Sequence, residues 1–258
     1  MTTFQAIVVF TLLGGVLSAL AASVFLLLPE AGRERLLPHL VSFAIGALLG
    51  AAFLGLLPHA LEGGGLANVH ALGGTFVFGI IAFFTLEKAV IWRHCHADAC
   101  EAHAPHDPRA VAAGRLILIG DGLHNFIDGL LIGAAFLTDF HLGVVTSFAV
   151  IAHEIPQEVG DVATLLNSGF SRRQSFLYNM AAGFTGVLGG VVAYFAFATA
   201  APYLPYALML AASSFVYVAV ADLIPGLHRR VDIRGSAAQI ALILTGLLLI
   251  YATHSIMH

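Results

Sequence analysis

Hydrophobic and polar positions alternate along the chain on a long period: eight apolar runs separated by short polar interruptions. The runs cover approximately 4 to 28, 38 to 58, 70 to 92, 111 to 137, 142 to 168, 174 to 199, 203 to 224 and 236 to 256. Each is close to the roughly 20 residues that a helix needs to cross about 30 Å of hydrocarbon. Barrel strands would be about 10 residues long with alternating polarity, and these runs show neither feature. The expected fold class is an all-α integral membrane protein with eight transmembrane helices. No Lys or Arg precedes Arg33, so the first run lacks the positive flank of a secretory leader and reads as a retained span. The whole chain, 1–258, is expected to form a single transmembrane domain.

The interruptions carry an orientation signal. All eleven cations, Arg33, Arg35, Lys88, Arg93, Arg109, Arg115, Arg172, Arg173, Arg229, Arg230 and Arg234, lie in or beside the connections 1-2, 3-4, 5-6 and 7-8. The other connections and both ends have none. The positive-inside bias then makes the alternate connections cytoplasmic and places both termini outside. Spans 1 to 3 and 6 to 8 run in opposite directions, as the halves of an inverted repeat around a central 4-5 hairpin would. A short echo accompanies this: "GLLP" at 55 to 58 ends span 2 and "DLIP" at 222 to 225 ends span 7. Composition agrees with the pattern, with 59% apolar and only 10% charged residues against about 45–50% and about 25% in soluble domains. A plasma membrane location is expected, with the bilayer as partner and no nucleic acid.

Two of the apolar runs are interrupted by chemistry. Span 4 contains "GDGLHNFIDG", in which Asp121, His124, Asn125 and Asp128 form a polar stripe on one helical face. Span 5 contains "HEIPQE", pairing His153 with Gln157 and Glu154 with Glu158 at one-turn spacing, with Asp161 a turn beyond. Pro156 removes an amide donor and is expected to kink this helix, freeing the Ala152 carbonyl. An acid in hydrocarbon costs about 2.5 to 3.5 kcal/mol or more unless it meets a partner or water, so the two helices are expected to face each other. No membrane-embedded Lys or Arg neutralises these acids, and the missing positive charge is a bound cation or protons. Imidazole mixed with carboxylate and amide oxygen suits zinc, iron or manganese rather than calcium or magnesium. The alternative is a hydrogen-bonded network that only fixes helix packing.

These residues carry a family resemblance. "GDGLHNFIDGLLIGAAF" and "HEIPQEVGD" resemble the fourth and fifth membrane helices of the ZIP (Zrt/Irt-like) metal-transporter family, and "SSFVYVAVADLIPGL" at 213 to 227 resembles the seventh. The resemblance implies uptake of divalent metal toward the cytoplasm without ATP. The metal is chiefly Zn2+, with Fe2+, Mn2+ or Cd2+ as further cargo. It implies a binuclear site between helices 4 and 5, an elevator-type motion, and a homodimer. His124, Asn125 and Asp128 match the helix 4 ligand positions, His153, Glu154 and Gln157 those of helix 5, and Asn179 in "LYNMAAG" the one of helix 6. Gln157 departs from the Glu or His that the family carries there. A neutral amide bridges metals poorly, so the expectation is one primary site on His124, Asp128, His153 and Gln157. Asn125, Glu154 and Glu158 would form a weaker or outer one. His59, in "LLPHALEGG" at the outer end of span 2, is either an entrance ligand or an interfacial histidine.

Between spans 3 and 4, the loop 94–110, "RHCHADACEAHAPHDPR" with the flanking Arg93, holds His94, Cys95, His96, Cys100, His103 and His106. It reads as a cytoplasmic metal-binding tract or as a solvated linker. A rival function, an intramembrane metal-dependent hydrolase, is suggested by "HEIPQ", which begins like H-E-x-x-H. Its second histidine is replaced by Gln157, and no enzyme activity is expected. No phosphate-binding G-x-x-x-x-G-K-[ST] loop occurs, so ATP-driven transport within this chain is excluded.

Overall fold

A computed structural model of the chain describes residues 1–94, 108–228 and 233–257. The loop 94–110, where the His/Cys-rich tract was expected, falls outside the described residues over 95–107. Among the described residues there are eight long helices and no strand. They are α1 (Thr3–Phe25), α2 (Glu30–Gly64), α3 (Val69–His94), α4 (Pro108–Thr138), α5 (Phe140–Asn167), α6 (Arg172–Thr199), α7 (Ala201–Leu227) and α8 (Ile233–Met257). Seven are long and apolar enough to cross a membrane; α5, with 28 residues, is the one that carries Glu154, Glu158 and Asp161. The chain is a multi-pass, all-α membrane protein.

Local chemistry fixes the helix ends. Thr2 with Gln5 and Ser171 with Gln174 form capping boxes at the starts of α1 and α6. Asp139 alone separates α4 from α5, and its carboxylate accepts the Leu142 N–H at 2.9 Å as the α5 N-cap. Gly65 and Gly169, at φ 71° and 88°, turn the chain out of α2 and α5 in a conformation that costs a side chain about 1 kcal/mol or more. Two helices begin earlier than hydrophobicity alone suggests. Helix α2 runs from Glu30 through Pro38, whose carbonyl accepts the Ser42 hydroxyl at 2.6 Å, and α4 starts on Pro108, a residue suited to the first helical turn.

The helices pack in two groups. In one, α4 and α6 make the most extensive contact, α1 lies against α6, and α5 closes the hairpin with α4. Small residues set this closeness: a methyl on Gly189 would fall on the Phe126 carbonyl, and one on Gly129 on that of Gly186. In the other group α2 packs on α8 and α3 on α7, with α2 and α7 crossing between them. Exchanging 1 with 6, 2 with 7 and 3 with 8 maps the α2–α8 pairing onto α3–α7 and returns the α1–α6 and α2–α7 pairings to themselves, as an inverted repeat requires. The proline echo has a structural counterpart. A π-helical segment precedes each proline, Ala51–Leu56 before Pro58 and Val218–Leu223 before Pro225, where the widened turn accommodates the proline's missing N–H and its clash with the preceding turn. In α5 the α-helical run continues through Pro156.

Candidate metal centre

The crossing of α4 and α5 places the two polar motifs face to face in mid-bundle. His124 and Asp128, one turn apart on α4, meet the adjacent residues His153 and Glu154 of α5. One donor atom from each of the four lies within 4.8 Å of all the others. The Nε2 atoms of His124 and His153 are 3.3 Å apart. His153 Nε2 is 3.1 Å from Asp128 Oδ2 and 3.7 Å from Glu154 Oε1. His124 Nε2 is 3.4 Å from Glu154 Oε1 and 3.8 Å from Asp128 Oδ2. Bonds of about 2.0–2.1 Å to a tetrahedral zinc ion give edges of about 3.3–3.4 Å between ligand atoms, and the five separations bracket that value.

Protonation and burial point the same way. A carbonyl oxygen only accepts, so the contact of His153 Nδ1 with the Ala149 carbonyl at 3.0 Å requires the proton on Nδ1. That leaves the Nε2 lone pair of the neutral ring facing the cluster, the orientation that a metal-binding histidine needs. Asp128 Oδ2 and both Glu154 oxygens have no hydrogen bond and no solvent access. Two neutral imidazoles and two carboxylates sum to the charge that a divalent cation cancels, which is how an acid pair becomes tolerable in a membrane interior. The ring of Phe215 on α7, fully buried, packs 6.2 Å from that of His153 and contributes an apolar wall.

Access is one-sided. The side chains of Asp128, His153 and Glu154 are at most 4% exposed, whereas that of His124 is 26% exposed. His124 opens into a cavity of about 170 Å³ between α3, α4 and α7 that is also lined by Glu87, Tyr217 and Asp222. Asp222 also borders a second cavity, of about 220 Å³, beside Pro38 and Gln239. The first cavity is lined by Glu87, next to Lys88, and the second by Pro38, three residues from Arg35, so both lie toward the end of the bundle that carries these cations, the basic end. In the sequence Glu87 shows only as the acid next to Lys88 near the end of span 3.

The remaining expected ligands stand elsewhere. Asn125 is buried, and its amide N–H donates to Asp121 Oδ1 at 2.9 Å. Gln157 is half-buried one turn from His153, and the four-donor cluster forms without it. Glu158, Asn179 and Ser175 are fully buried, with all their side-chain oxygen and nitrogen atoms lacking a hydrogen bond. Glu158 lies beside Asn179, within electrostatic reach of Asp121, Glu154 and Asp161, so this second polar cluster adjoins the first on the basic side. His59 sits at the opposite end, past the π-helical segment of α2, where its Nδ1–H donates to the Gly55 carbonyl at 2.9 Å. Asp139 is nearby. Partial burial works to raise its carboxyl, but the backbone N–H groups of Leu142 and His141, and then the His141 and His59 imidazoles, outweigh this and hold it below the ordinary carboxylate value.

Comparison with known proteins finds relatives that extend over most of the chain. The ZIP Zinc transporter family profile matches residues 91–253, a stretch that contains both motifs. The chain is 33% identical over 233 residues to zinc transporter ZIP13 of Pongo abelii, covering 84% of this chain and 66% of the relative. It is 32% identical over 263 residues to ZIP13 of Mus musculus, covering 86% and 71%, and 31% identical over 267 residues to zinc transporter zipt-7.2 of Caenorhabditis elegans, covering 84% and 58%. With a family profile over more than half its length and these relatives, the chain belongs to the ZIP zinc transporter family.

Proposed function

We propose that this chain moves divalent transition-metal ions, zinc foremost, across the plasma membrane into the cytoplasm without ATP. His124, Asp128, His153 and Glu154 hold the ion in transit. The observation that carries the proposal is the four-donor cluster, whose spacing fits a tetrahedral zinc shell and whose charge cancels that of the ion. Mixed nitrogen and oxygen ligands also suit Fe2+, Mn2+ and Cd2+, which are proposed as further cargo. Binding requires neutral imidazoles and ionised acids, so protonation favours release.

The exposure of His124 toward the basic end supports one route through the bundle. The ion arrives from the neutral end past His59, with Asp139 and His141 adding local negative and imidazole character. It is held at the centre and leaves through the cavity past Glu87 and Asp222 toward the basic end, which the positive-inside bias makes cytoplasmic. Both termini then lie outside. The family's elevator motion corresponds here to α1, α4, α5 and α6 moving against α2, α3, α7 and α8. Asn125, Glu158 and Asn179 form a second, weaker station next to the centre, and the neutral Gln157 limits bridging between the two. The loop 94–110 receives the released metal in the cytoplasm, and the chain works as a homodimer. The relatives are named zinc transporters, and the hydrolase reading lacks its second metal-binding histidine at Gln157.

The test is zinc uptake by ATP-free proteoliposomes, with cadmium, manganese and iron as competitors. Wild type takes up zinc, and His124→Ala and His153→Ala lose uptake while retaining their helical fold. Equal uptake by the histidine variants would refute the site assignment.

A further inference from the structure

We infer that Tyr217 sets the rate at which the transported cation leaves, by engaging the Glu87 carboxylate in the cavity beneath His124. This rests on the transport reading above. The Tyr217 hydroxyl donates to Glu87 Oε2, joining α7 to α3 across 130 residues of sequence. Both side chains line the cavity into which His124 opens, together with Asp222, and the phenol lies within electrostatic reach of both acids. Tyr217 immediately precedes the π-helical segment Val218–Leu223, which brings Asp222 round to the same cavity.

A cation leaving His124 therefore meets two acids, and two free carboxylates would make a second trap. Onward flow needs each station to bind well enough to accept the ion and weakly enough to lose it. A phenol O–H directed at Glu87 occupies one of its lone pairs in a charge-assisted hydrogen bond, which makes that carboxylate a poorer cation ligand and keeps it against α7. The bond is not needed to bring α3 and α7 together, because Gly79 already packs directly on Ser213. Tyr217 is thus a positioning residue that acts through Glu87.

The experiment strips zinc from the purified full-length protein with a chelator and follows the rate, beside proteoliposome uptake. Tyr217→Phe slows stripping about tenfold, the scale of one hydrogen bond to a charged group, and lowers maximal uptake without raising KM. Glu87→Gln still offers the phenol an acceptor but removes the charge, and adding Tyr217→Phe to it changes the rate no further. Stripping by Tyr217→Phe at the wild-type rate, or an equal slowing in the Glu87→Gln background, would overturn the inference, the second outcome marking a packing role. Tyr217-dependent stripping without uptake by wild type would sink the transport reading alone, and a wild type that binds no zinc would sink both.

Discussion

Replacing Asp128 by Asn removes one charge from the centre while preserving shape. In the wild-type cluster the four side chains are 26%, 4%, 1% and 0% exposed, so water screens little of the change. Two neutral histidines and two carboxylates balance a divalent ion; with a neutral amide in place of the acid, the loaded centre carries an uncompensated positive charge. Breaking a buried charge balance by removing one partner costs about 3–5 kcal/mol, which at about 1.4 kcal/mol per decade is about 10²-fold to a few thousandfold in zinc affinity. Competition against a chelating dye measures this in detergent. The same substitution has the opposite effect without metal, because Asp128 and Glu154 then face each other with no cation between them. Metal-stripped Asp128→Asn should melt at or above the temperature of stripped wild type, while zinc raises the melting temperature of wild type more. A change in affinity below about threefold, or a stripped variant that melts well below stripped wild type, would refute the charge balance assigned to the centre.

Three further outcomes follow from particular contacts. Gly189→Ala places a methyl on the Phe126 carbonyl and should destabilise the protein by about 1–3 kcal/mol through overpacking, whereas Gly73→Ala in α3, which meets nothing within 4 Å, should be neutral or slightly stabilising in thermal unfolding. Asp139→Ala removes the α5 N-cap and should cost about 1 kcal/mol near neutral pH. Because the Asp139 carboxyl is held below its ordinary value of 3.8, its contribution is present above that pH and disappears as pH falls through the depressed value, so the variant and wild-type melting curves converge in acid. Gln157→Glu should raise the amount of zinc bound per chain, measured by elemental analysis after dialysis; an unchanged amount would dismiss Gln157 as the residue that limits bridging.

Much of this architecture is written in the chain's hydrophobic pattern, because a span must be long and apolar whatever its neighbours are. The limits expected for spans 5 and 6, 142 to 168 and 174 to 199, fall within two residues of Phe140–Asn167 and Arg172–Thr199. Pro58 and Pro225 stand out in the sequence only as an echo at the ends of spans 2 and 7; the π-helical segments that precede them, and a third in the described residues, Leu13–Leu17 in α1, which no proline follows, show only in the structure. His124, Asp128 and His153 were visible as polar residues without a counter-charge in an apolar run. The division of labour between Glu154 and Gln157 was not. Helical period pairs His153 with Gln157 and turns Glu154 about 100° away, and only the crossing angle of α4 over α5 brings Asp128 and His124 between His153 and Glu154. Tyr217 with Glu87 was invisible for a related reason: each sits in a lipid-length run where a tyrosine or a terminal acid needs no partner, and their contact exists only once α3 and α7 pack.

X-ray absorption at the zinc edge of the loaded, purified protein reports the atoms that touch the ion, and so bears on the four-donor centre itself. The expected spectrum is that of a four-coordinate shell of two imidazole nitrogens and two carboxylate oxygens at about 2.0–2.1 Å, lost from His153→Ala. A shell containing sulfur at about 2.3 Å, which Cys95 and Cys100 would supply, or a spectrum unchanged in His153→Ala, would contradict it.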